Sequence, residues 1–490
     1  MKRSISILLL IAMLVSLNAC GSSNTETQTN ETPSSAQETE PQETAPEKLM
    51  PDIPDTRYDG AEFRFLSREV IDANVRYYSE ICSHEMNGEL MNDETFNRTA
   101  RLESTYDIKF LSDTKPMGEI EQTVQNSYNA GEQNWDVIVP GYSSAQNLAA
   151  SGYNADLNQI PYIDTTKPWW DSASAETMKI GGSLYFAIGA MNTWTDSHSF
   201  GITFNKEMAT KYDVAPYDMV RNNTWTLDNF YEIAEKVTND VDGNGIMDET
   251  DQYGIVGENF NFTLHMLASD VFVVTNNEDG YPTLNITERF YTVADKICSI
   301  MSSNNYLRAE EYSNKYADAW TDALRANFRS GKSLFHVGAL CEIILYRDLD
   351  IDIGLLPFPK YDEAQKTYRH SFSNYWSSVI MIPKNTSTAE FTGHMLEALQ
   401  AESYYSTAEA YYDVMMGGKV VRDEDSREML NIIRSTRTID PELAYNFLGV
   451  NSMYANILKD KSAGSLASSV QSASKIAERY IQKFVKQYSE

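Results

Sequence analysis

Residues 136–157 read DVIVPGYSSAQNLAASGYNADL, and the way this stretch divides decides the fold. Asp136 to Val139 is a short apolar run with three β-branched residues, and Pro140-Gly141 ends it. A run of this length bounded by turn residues predicts a strand buried on both faces. Just upstream, Asn129 to Asn134 is a turn, preceded by Ile120, Val124 and Tyr128 on one helical face. Before these come a short strand at Ile108 to Phe110, a loose helical stripe of Phe96, Ala100 and Tyr106, and an alternating strand, Ala61 to Leu66, with Phe63 and Phe65 on one side. Strand, helix, strand, helix, strand with short links predicts a parallel sheet covered by helices, an α/β fold.

Beyond Leu157, Leu184 to Met191 (LYFAIGAM) and Phe200 to Phe204 are strand-like. Thr226 is placed to cap a helix whose Phe230, Ile233, Ala234 and Val237 share an apolar face. Leu334 to Leu340, Ile351 to Leu356 and Ser377 to Ile382 predict further strands, the last cut off by Pro383. Ser387 and Glu390 make a capping box for a helix carrying Phe391, Met395, Ala398 and Leu399. Asp440-Pro441 starts another helix, with proline where its missing N–H costs nothing. Val470, Ala473, Ala477, Ile481 and Phe484 trace a long amphipathic helix at the end.

The amino-terminal region has a different composition. Lys2 and Arg3 precede an apolar run, Ile5 to Leu17, that is short for a membrane span and ends in LNAC, Leu17 to Cys20. This predicts an export signal over residues 1–19 that is cut before Cys20, leaving a thiol for lipidation. Gly21 to Arg57 has eight acidic and two basic side chains, five prolines and no aromatic residue, so residues 20–57 form a disordered acidic tether. The about 430 residues that follow are too many for one core and predict two lobes. A formal net charge of -30 excludes nucleic acid and any electrostatic hold on a membrane surface. Beyond Cys20 only Cys82, Cys298 and Cys341 remain, an odd set that is no disulfide scaffold.

Catalytic motifs fail. The GKS at Gly331 to Ser333 lacks the glycine a phosphate loop needs five residues earlier, where Ala326 stands, and HExxH, GxSxG and CxxC are absent. A calcium pattern holds better. Asp240 to Asp251, DVDGNGIMDETD, matches a twelve-residue loop with Asp240, Asp242 and Asn244 at positions 1, 3 and 5 and Gly245 at the sharp turn. The Ile246 carbonyl, Asp248 and Asp251 complete the expected shell, although aspartate replaces the usual closing glutamate and reaches less far. A solvated Asx-rich turn is the alternative.

In order along the chain, residues 136–157 with PYID behind them, FNKEMATKYDVA (204–215), TWTLDNFYEIAEKVT (224–238), Tyr253-Gly254-Ile255, FRSGKSLFHVGAL (328–340), IGLLPFP (353–359) and SSVIMIPKN (377–385) resemble one family. It is the family of bacterial lipoprotein solute-binding proteins of ABC importers, specifically family 1, which is similar to maltose- and oligosaccharide-binding proteins. The resemblance implies a type II periplasmic-binding-protein-like fold with two α/β lobes, residues 58–191 plus 379–418 and residues 192–378 plus 419–490. Crossing segments near Met191 to Ser199 and Phe372 to Ser378 would join them. It implies no enzyme but a monomeric binding component on the extracytoplasmic face of the cell membrane, anchored through Cys20, closing on a solute and delivering it to permease subunits.

Loops at the carboxyl ends of strands line such a cleft. Here they carry Arg68, Glu69, Tyr142, Trp194, Asp196, Glu342, Asn374, Tyr375 and Trp376. Aromatic rings beside carboxylates suit a mono- or oligosaccharide, whose apolar face covers a ring while its hydroxyls bond to acid groups. Trp169-Trp170 is read as lobe packing. The alternatives are a peptide or other polar solute, a carbohydrate-degrading enzyme using Asp196 and Glu342 as acid and base, and a surface adhesion or scaffold lipoprotein.

Overall fold

Two sheets organise the chain. The computed structural model describes residues 48–69, 78–346, 348–417 and 423–489; the export signal, Cys20, most of the tether and the 418/419 boundary lie outside them. The first sheet consists of β1 (Ala61–Arg68), β2 (Ile108–Lys115) and β3 (Val137–Val139), all parallel in the order β2-β1-β3. The helices Leu90–Tyr106 and Ile120–Asn129 make the crossovers, as the short links require. Phe63, Phe65, Phe110 and all of β3 are buried, with Phe63 edge-on to Phe65 at 4.6 Å between centroids. Each such side chain contributes about 1.5–3 kcal/mol of burial. The end of the tether joins this body: Ile53 packs on the core, and Arg57 donates to the carbonyls of Ser104 and Thr105 at 3.1 Å.

The second sheet contains β4 (Phe200–Asn205), β5 (Tyr253–Gly257), β8 (Tyr306–Arg308), β9 (Ser333–Ala339) and β10 (Ile353–Leu356), in the order β10-β4-β9-β5-β8. Between β5 and β8 in sequence, β6 (Val274–Asn276) and β7 (Pro282–Leu284) form a separate antiparallel pair. β4 runs antiparallel to both of its neighbours, whereas β5 is parallel to β9 and β8. The helix Leu227–Val237 covers this sheet, with the Thr226 hydroxyl accepting from the Asn229 N–H as the cap. At Gly254 of β5 a Cβ would run into the backbone of Ala234, so only glycine lets this helix sit down on the strand.

Three sequence expectations change. Leu184 to Met191 and Ser377 to Ile382 form no ladder strands and meet at single bridges. Ile380 exchanges both backbone bonds with Ala187, while the next residue, Met381, exchanges both with Ile138 of β3. Pairing is intermittent: Ser378 bridges Gly141, with the Val379 N–H on the Pro140 carbonyl at 3.2 Å, and Pro383, which has no N–H, bridges Asn154, so no continuous ladder forms. Ser387 does not cap the following helix, which runs Ala389–Tyr404 from Thr388. The Ser387 N–H and hydroxyl both donate to Gln133 Oε1, at 2.7 and 2.8 Å, so a link to the first body takes the place of the capping box.

The chain passes between the two bodies along three adjacent segments. Ser199 bridges Phe372 antiparallel, with the Phe200 N–H on the Ser371 carbonyl at 3.0 Å and the Ser373 N–H on the His198 carbonyl at 2.9 Å. His370 in turn bridges Arg437 in parallel. The carboxyl-terminal helices also touch both bodies. Glu424–Ser435 packs on β10, Pro441–Tyr445 on the helices Tyr142–Ala150 and Ser172–Met178, and Val450–Lys459 on Asn261–Ala268. Asp440 starts the Pro441 helix as expected, its carboxylate accepting from the Glu442, Val273 and Val274 N–H groups. Among the described residues no helix is long and apolar enough to cross a membrane. Cys82, Cys298 and Cys341 are buried thiols.

Candidate binding cleft

Parallel neighbours β5 and β9 end on the same edge of the second sheet, so the residues just past them share one opening. Glu258 follows β5, and Glu342 lies in the 3-10 turn Leu340–Tyr346 after β9. A π-helical turn, Trp320–Arg325, stands over them, its widened coil bringing both Trp320 and Arg325 to the opening. Tyr375 and Trp376 of the middle crossing segment close the other side, stacked edge-to-face at 4.6 Å. The cavity between them measures about 520 Å³, within the range of small-molecule sites.

Its polar groups fall into two sets, one around Arg325 and one at Glu258. Arg325 donates to Glu342 Oε1 from Nε at 2.9 Å and from Nη2 at 2.5 Å, and His336 Nε2 lies 3.3 Å from Glu342 Oε2. Burial pulls the His336 pKa down to about 4 despite the nearby carboxylate, so the ring is neutral at pH 7. A neutral ring can accept the Tyr346 hydroxyl at Nδ1, 3.1 Å away, and donate from Nε2 to Glu342. Glu258 Oε2 accepts from the Trp320 indole at 2.6 Å. Its pKa rises to about 7, mainly through burial, with Glu342 and Glu310 pushing the same way. Asp318 accepts from the Thr321 N–H at 3.1 Å and from its hydroxyl at 2.7 Å. The combination of indole faces, a phenol and hydrogen-bonding carboxylates can hold a polyhydroxylated ring.

The sequence-predicted residues separate into groups. Glu342, Tyr375 and Trp376 line the cavity. Arg68 and Trp194 lie behind the crossing segment: buried Arg68 donates to the Tyr375 and Trp376 carbonyls at 3.3 and 3.0 Å and sits 5.2 Å from the Trp194 ring centre. The Asn374 carbonyl accepts from the Ser143 N–H at 3.3 Å. Tyr142 does not reach the opening; it is fully buried, edge-on to Phe186 and Phe372, because it begins a helix whose apolar face packs inward. Glu69 is exposed at the end of β1. Asp196 lines a different cavity, of about 700 Å³, and pairs there with Arg437 at 2.6 Å. Asp196 and Glu342 therefore form no acid and base pair. Trp169 and Trp170 are packing residues whose indoles donate to buried Glu397 at 2.8 and 2.9 Å.

Sequence reasoning missed Glu258, Trp320, Arg325 and His336. Glu258 was within reach, since YGIVG at 253–257 is a strand and the same strand-end rule applies. Trp320 and Arg325 had no signal, because a π-helical turn leaves no periodicity in six residues.

The acidic loop closes as its spacing predicted only in part. One carboxylate oxygen each of Asp240, Asp242 and Asp251 lie within 4.8 Å of one another. Asp240 accepts from the Gly245 N–H at 2.7 Å and the Gly243 N–H at 2.8 Å, which keeps its pKa below the usual range. Gly243 and Gly245 both have positive φ, which is what allows this fold-back. Asp248 points elsewhere, accepting from the Thr250 N–H and hydroxyl at 2.8 Å, and Asn244 Oδ1 accepts from the Ile246 N–H at 2.7 Å. Three converging carboxylates fit a hard divalent cation.

A profile of the family described as bacterial extracellular solute-binding protein matches residues 97–411. Among solved structures, the chain is similar to a cyclo/maltodextrin-binding protein complexed with maltotetraose, with TM-score 0.58, 14% identity and coverage of 87% of this chain and 98% of that one. It is similar to the sugar-binding protein MalE of Xanthomonas citri, with TM-score 0.57, 12% identity and coverage of 87% and 98%. A third is an ABC substrate-binding protein from Listeria monocytogenes in complex with cycloalternan, with TM-score 0.52, 13% identity and coverage of 88% and 100%. These likenesses establish the two-lobe α/β fold. Comparison with curated proteins finds no match.

Proposed function

The chain belongs to the bacterial extracellular solute-binding proteins, and on that premise we propose that it captures a mono- or oligosaccharide between Trp320, Trp376, Glu258 and Glu342 and delivers it to an ABC permease. The observation that carries this reading is the cavity of about 520 Å³ in which indole rings stand beside hydrogen-bonded carboxylates. A pyranose needs both, an apolar surface for its C–H face and paired acceptors for its hydroxyls. The similar structures that hold maltotetraose and cycloalternan support the same class of solute. Glu342 comes from the second body and Trp376 from a crossing segment, so the solute would dock on the second body beside the hinge, and closure of the first body over it would bury it.

Finer features belong to the same proposal. Lobes at 58–191 plus 379–418 and 192–378 plus 419–490 suit the two sheets, with the carboxyl-terminal helices spanning both. Cys20 carries the lipid that keeps a monomer beside its permease, and the loop of Asp240, Asp242 and Asp251 takes a structural calcium ion. Differential scanning fluorimetry against a saccharide library, followed by calorimetric titration of the hits, tests the central claim. Stabilisation by at least one saccharide is expected, and stabilisation by peptides alone would overturn it.

A further inference from the structure

The turn that carries Tyr375 and Trp376 is held from two sides. The N–H groups of Tyr375 and Trp376 donate to Ser373 Oγ at 3.3 and 3.1 Å, and the Ser373 N–H is itself on the His198 carbonyl at 2.9 Å, in the first crossing segment. The carbonyls of the turn face the first body. That of Asn374 accepts from the Ser143 N–H at 3.3 Å, at the start of the helix after β3. Those of Tyr375 and Trp376 accept from Arg68 Nη1 and Nη2 at 3.3 and 3.0 Å. Two residues on, Ser378 bridges Gly141 just past β3. The turn thus lies where the middle crossing segment passes onto the first body, and the rings it presents line the cavity with Glu258, Trp320 and Glu342 of the second.

Arg68 is the last residue of β1, only 3% exposed, and lies outside the cavity. A guanidinium is a rigid plane of donors with no acceptor, so two of its N–H groups on neighbouring carbonyls fix the backbone between them in orientation as well as distance. The Trp194 ring centre, 5.2 Å from the guanidinium carbon, and Met117 Sδ, 3.6 Å from Nη1, hold the side chain in turn. Backbone orientation sets the direction in which the Tyr375 and Trp376 side chains leave the chain. Their rings meet edge-to-face at 4.6 Å, with Tyr375 half-exposed. The aim of this pair therefore depends on a side chain rooted in the first sheet, although the residues the pair faces belong to the second body.

Resting on the saccharide reading above, we infer that Arg68 is a positioning residue: it aims the Tyr375 and Trp376 rings at the solute without touching it, and it makes a solute docked on the second body pull on the first. Arg68 moves with the first sheet, so its two bonds form a contiguous link from the stacked rings to the body that closes.

Near-ultraviolet circular dichroism and calorimetric titration of the full chain test this. The band lost in Trp376→Phe reports the stacked pair with no solute present. Arg68→Met, which keeps a stem and removes the donors, is expected to lose about half of that band or more, and Arg68→Lys a smaller part, since a point charge cannot fork to both carbonyls. A merely structural arginine would lower the urea midpoint and leave the folded-state band as it is, so an unchanged band in Arg68→Met would overturn the inference. Should Arg68→Met not fold, Arg68→Lys decides, and an unchanged band there would overturn it. With maltotetraose as the probe, affinity is expected to fall about ten-fold or more in Arg68→Met, about 1.4 kcal/mol. Added to Trp376→Ala, the same change should cost less than about three-fold, because its effect runs through the ring. A ten-fold loss that persists without the ring would put Arg68 in contact with the solute and overturn the positioning role. No binding of maltotetraose by the unmodified chain would count against the saccharide reading, and the dichroism would still decide this inference.

Discussion

Replacing Arg437 with methionine removes the one cation shared by two nearly buried carboxylates. Arg437 Nε lies 2.7 Å from Asp171 Oδ2 and Nη1 lies 2.6 Å from Asp196 Oδ1, with side-chain exposures of 16%, 9% and 13% for the arginine and the two acids. Burial alone would lower the Arg437 pKa, yet the two aspartates hold it above its ordinary value. Removing one member of a buried pair costs about 3–5 kcal/mol, because the charge left behind is neither solvated nor paired. Here two charges are left. Both acids line the open cavity of about 700 Å³, so water can reach Asp171 Oδ2 and Asp196 Oδ1 once the arginine is gone, while Asp171 Oδ1 keeps the Ser174 N–H at 3.0 Å as a helix cap. The loss therefore falls at the lower end, about 3 kcal/mol, which is a fifth or more of a total stability of about 5–15 kcal/mol. Urea unfolding at pH 7, followed by circular dichroism and tryptophan fluorescence, measures it. Arg437→Lys should fall in between, since a point charge on a flexible stem cannot fork to both acids. In a double-mutant cycle with Asp196→Asn, the coupling should reach about 2 kcal/mol or more. A loss below about 1 kcal/mol in Arg437→Met would place the contact among ordinary surface pairs and refute the reasoning.

Trp320→Ala removes both an indole face and the N–H that holds Glu258, so solute affinity by calorimetry should drop ten-fold to a hundred-fold; unchanged affinity would take Trp320 out of the site. Calcium should raise the thermal unfolding temperature of the unmodified chain and not that of Asp242→Asn, whose carboxylate is exposed and bonds only within the loop; no shift in either would remove the cation from the proposal. Stability should fall as pH rises from about 4.5 to about 7. Burial raises Glu80, Glu397 and Glu442 to about 7 and Asp440 to about 6, so the folded state holds protons that the unfolded state has released. Each such proton contributes about 1.4 kcal/mol per pH unit. Buried His265, His336 and His370, lowered to about 3, 4 and 3, oppose this below about 6.5, because they stay neutral while the unfolded state binds protons there. The acids outnumber them, so a shallow net fall is expected, and denaturation curves that strengthen with pH across this window would contradict it.

The first sheet was legible because β1 and β2 begin with alternating apolar residues, β3 is wholly apolar, and a helix lies between each strand and the next, so period and order together fix the topology. The second sheet was less so. β4 lies antiparallel between β10 and β9 although its own residues look like those of any buried strand, and pairing direction leaves no mark in a local apolar run. Residues 184–191 show the converse failure. Their apolar character is real, as the burial of Leu184, Phe186, Ala187 and Ile188 shows, but it arises from packing against Ile380 and the first sheet and not from a ladder. Strand-end reasoning singled out Glu342 and the aromatic crossing segment, which line the cavity of about 520 Å³. It misassigned Asp196, because the same crossing segments have two sides and sequence cannot say which side faces the opening.

The disposition of the arginines connects fold to function. In a chain of net charge -30, the buried guanidinium groups are spent on the framework. Arg98 donates to the Glu80 carbonyl at 2.9 Å and the Ser403 hydroxyl at 3.0 Å, Arg68 holds the carbonyls of Tyr375 and Trp376, and Arg437 binds Asp171 and Asp196. Arg68 and Arg437 act at the crossing segments, from opposite sides. One fixes the backbone that presents Tyr375 and Trp376 to the solute, while the other ties the third crossing to the first body and to the segment before β4. Closure on a solute must move the bodies about these segments, so the two arginines set what the motion costs while the cleft carboxylates set what the solute returns. Weakening Arg437 should therefore change affinity for every solute by a similar factor, whereas changing Glu258 should change the ranking among solutes. A hinge contact alters the population of the closed state, which all ligands share, and a cleft contact alters only the interaction that distinguishes them.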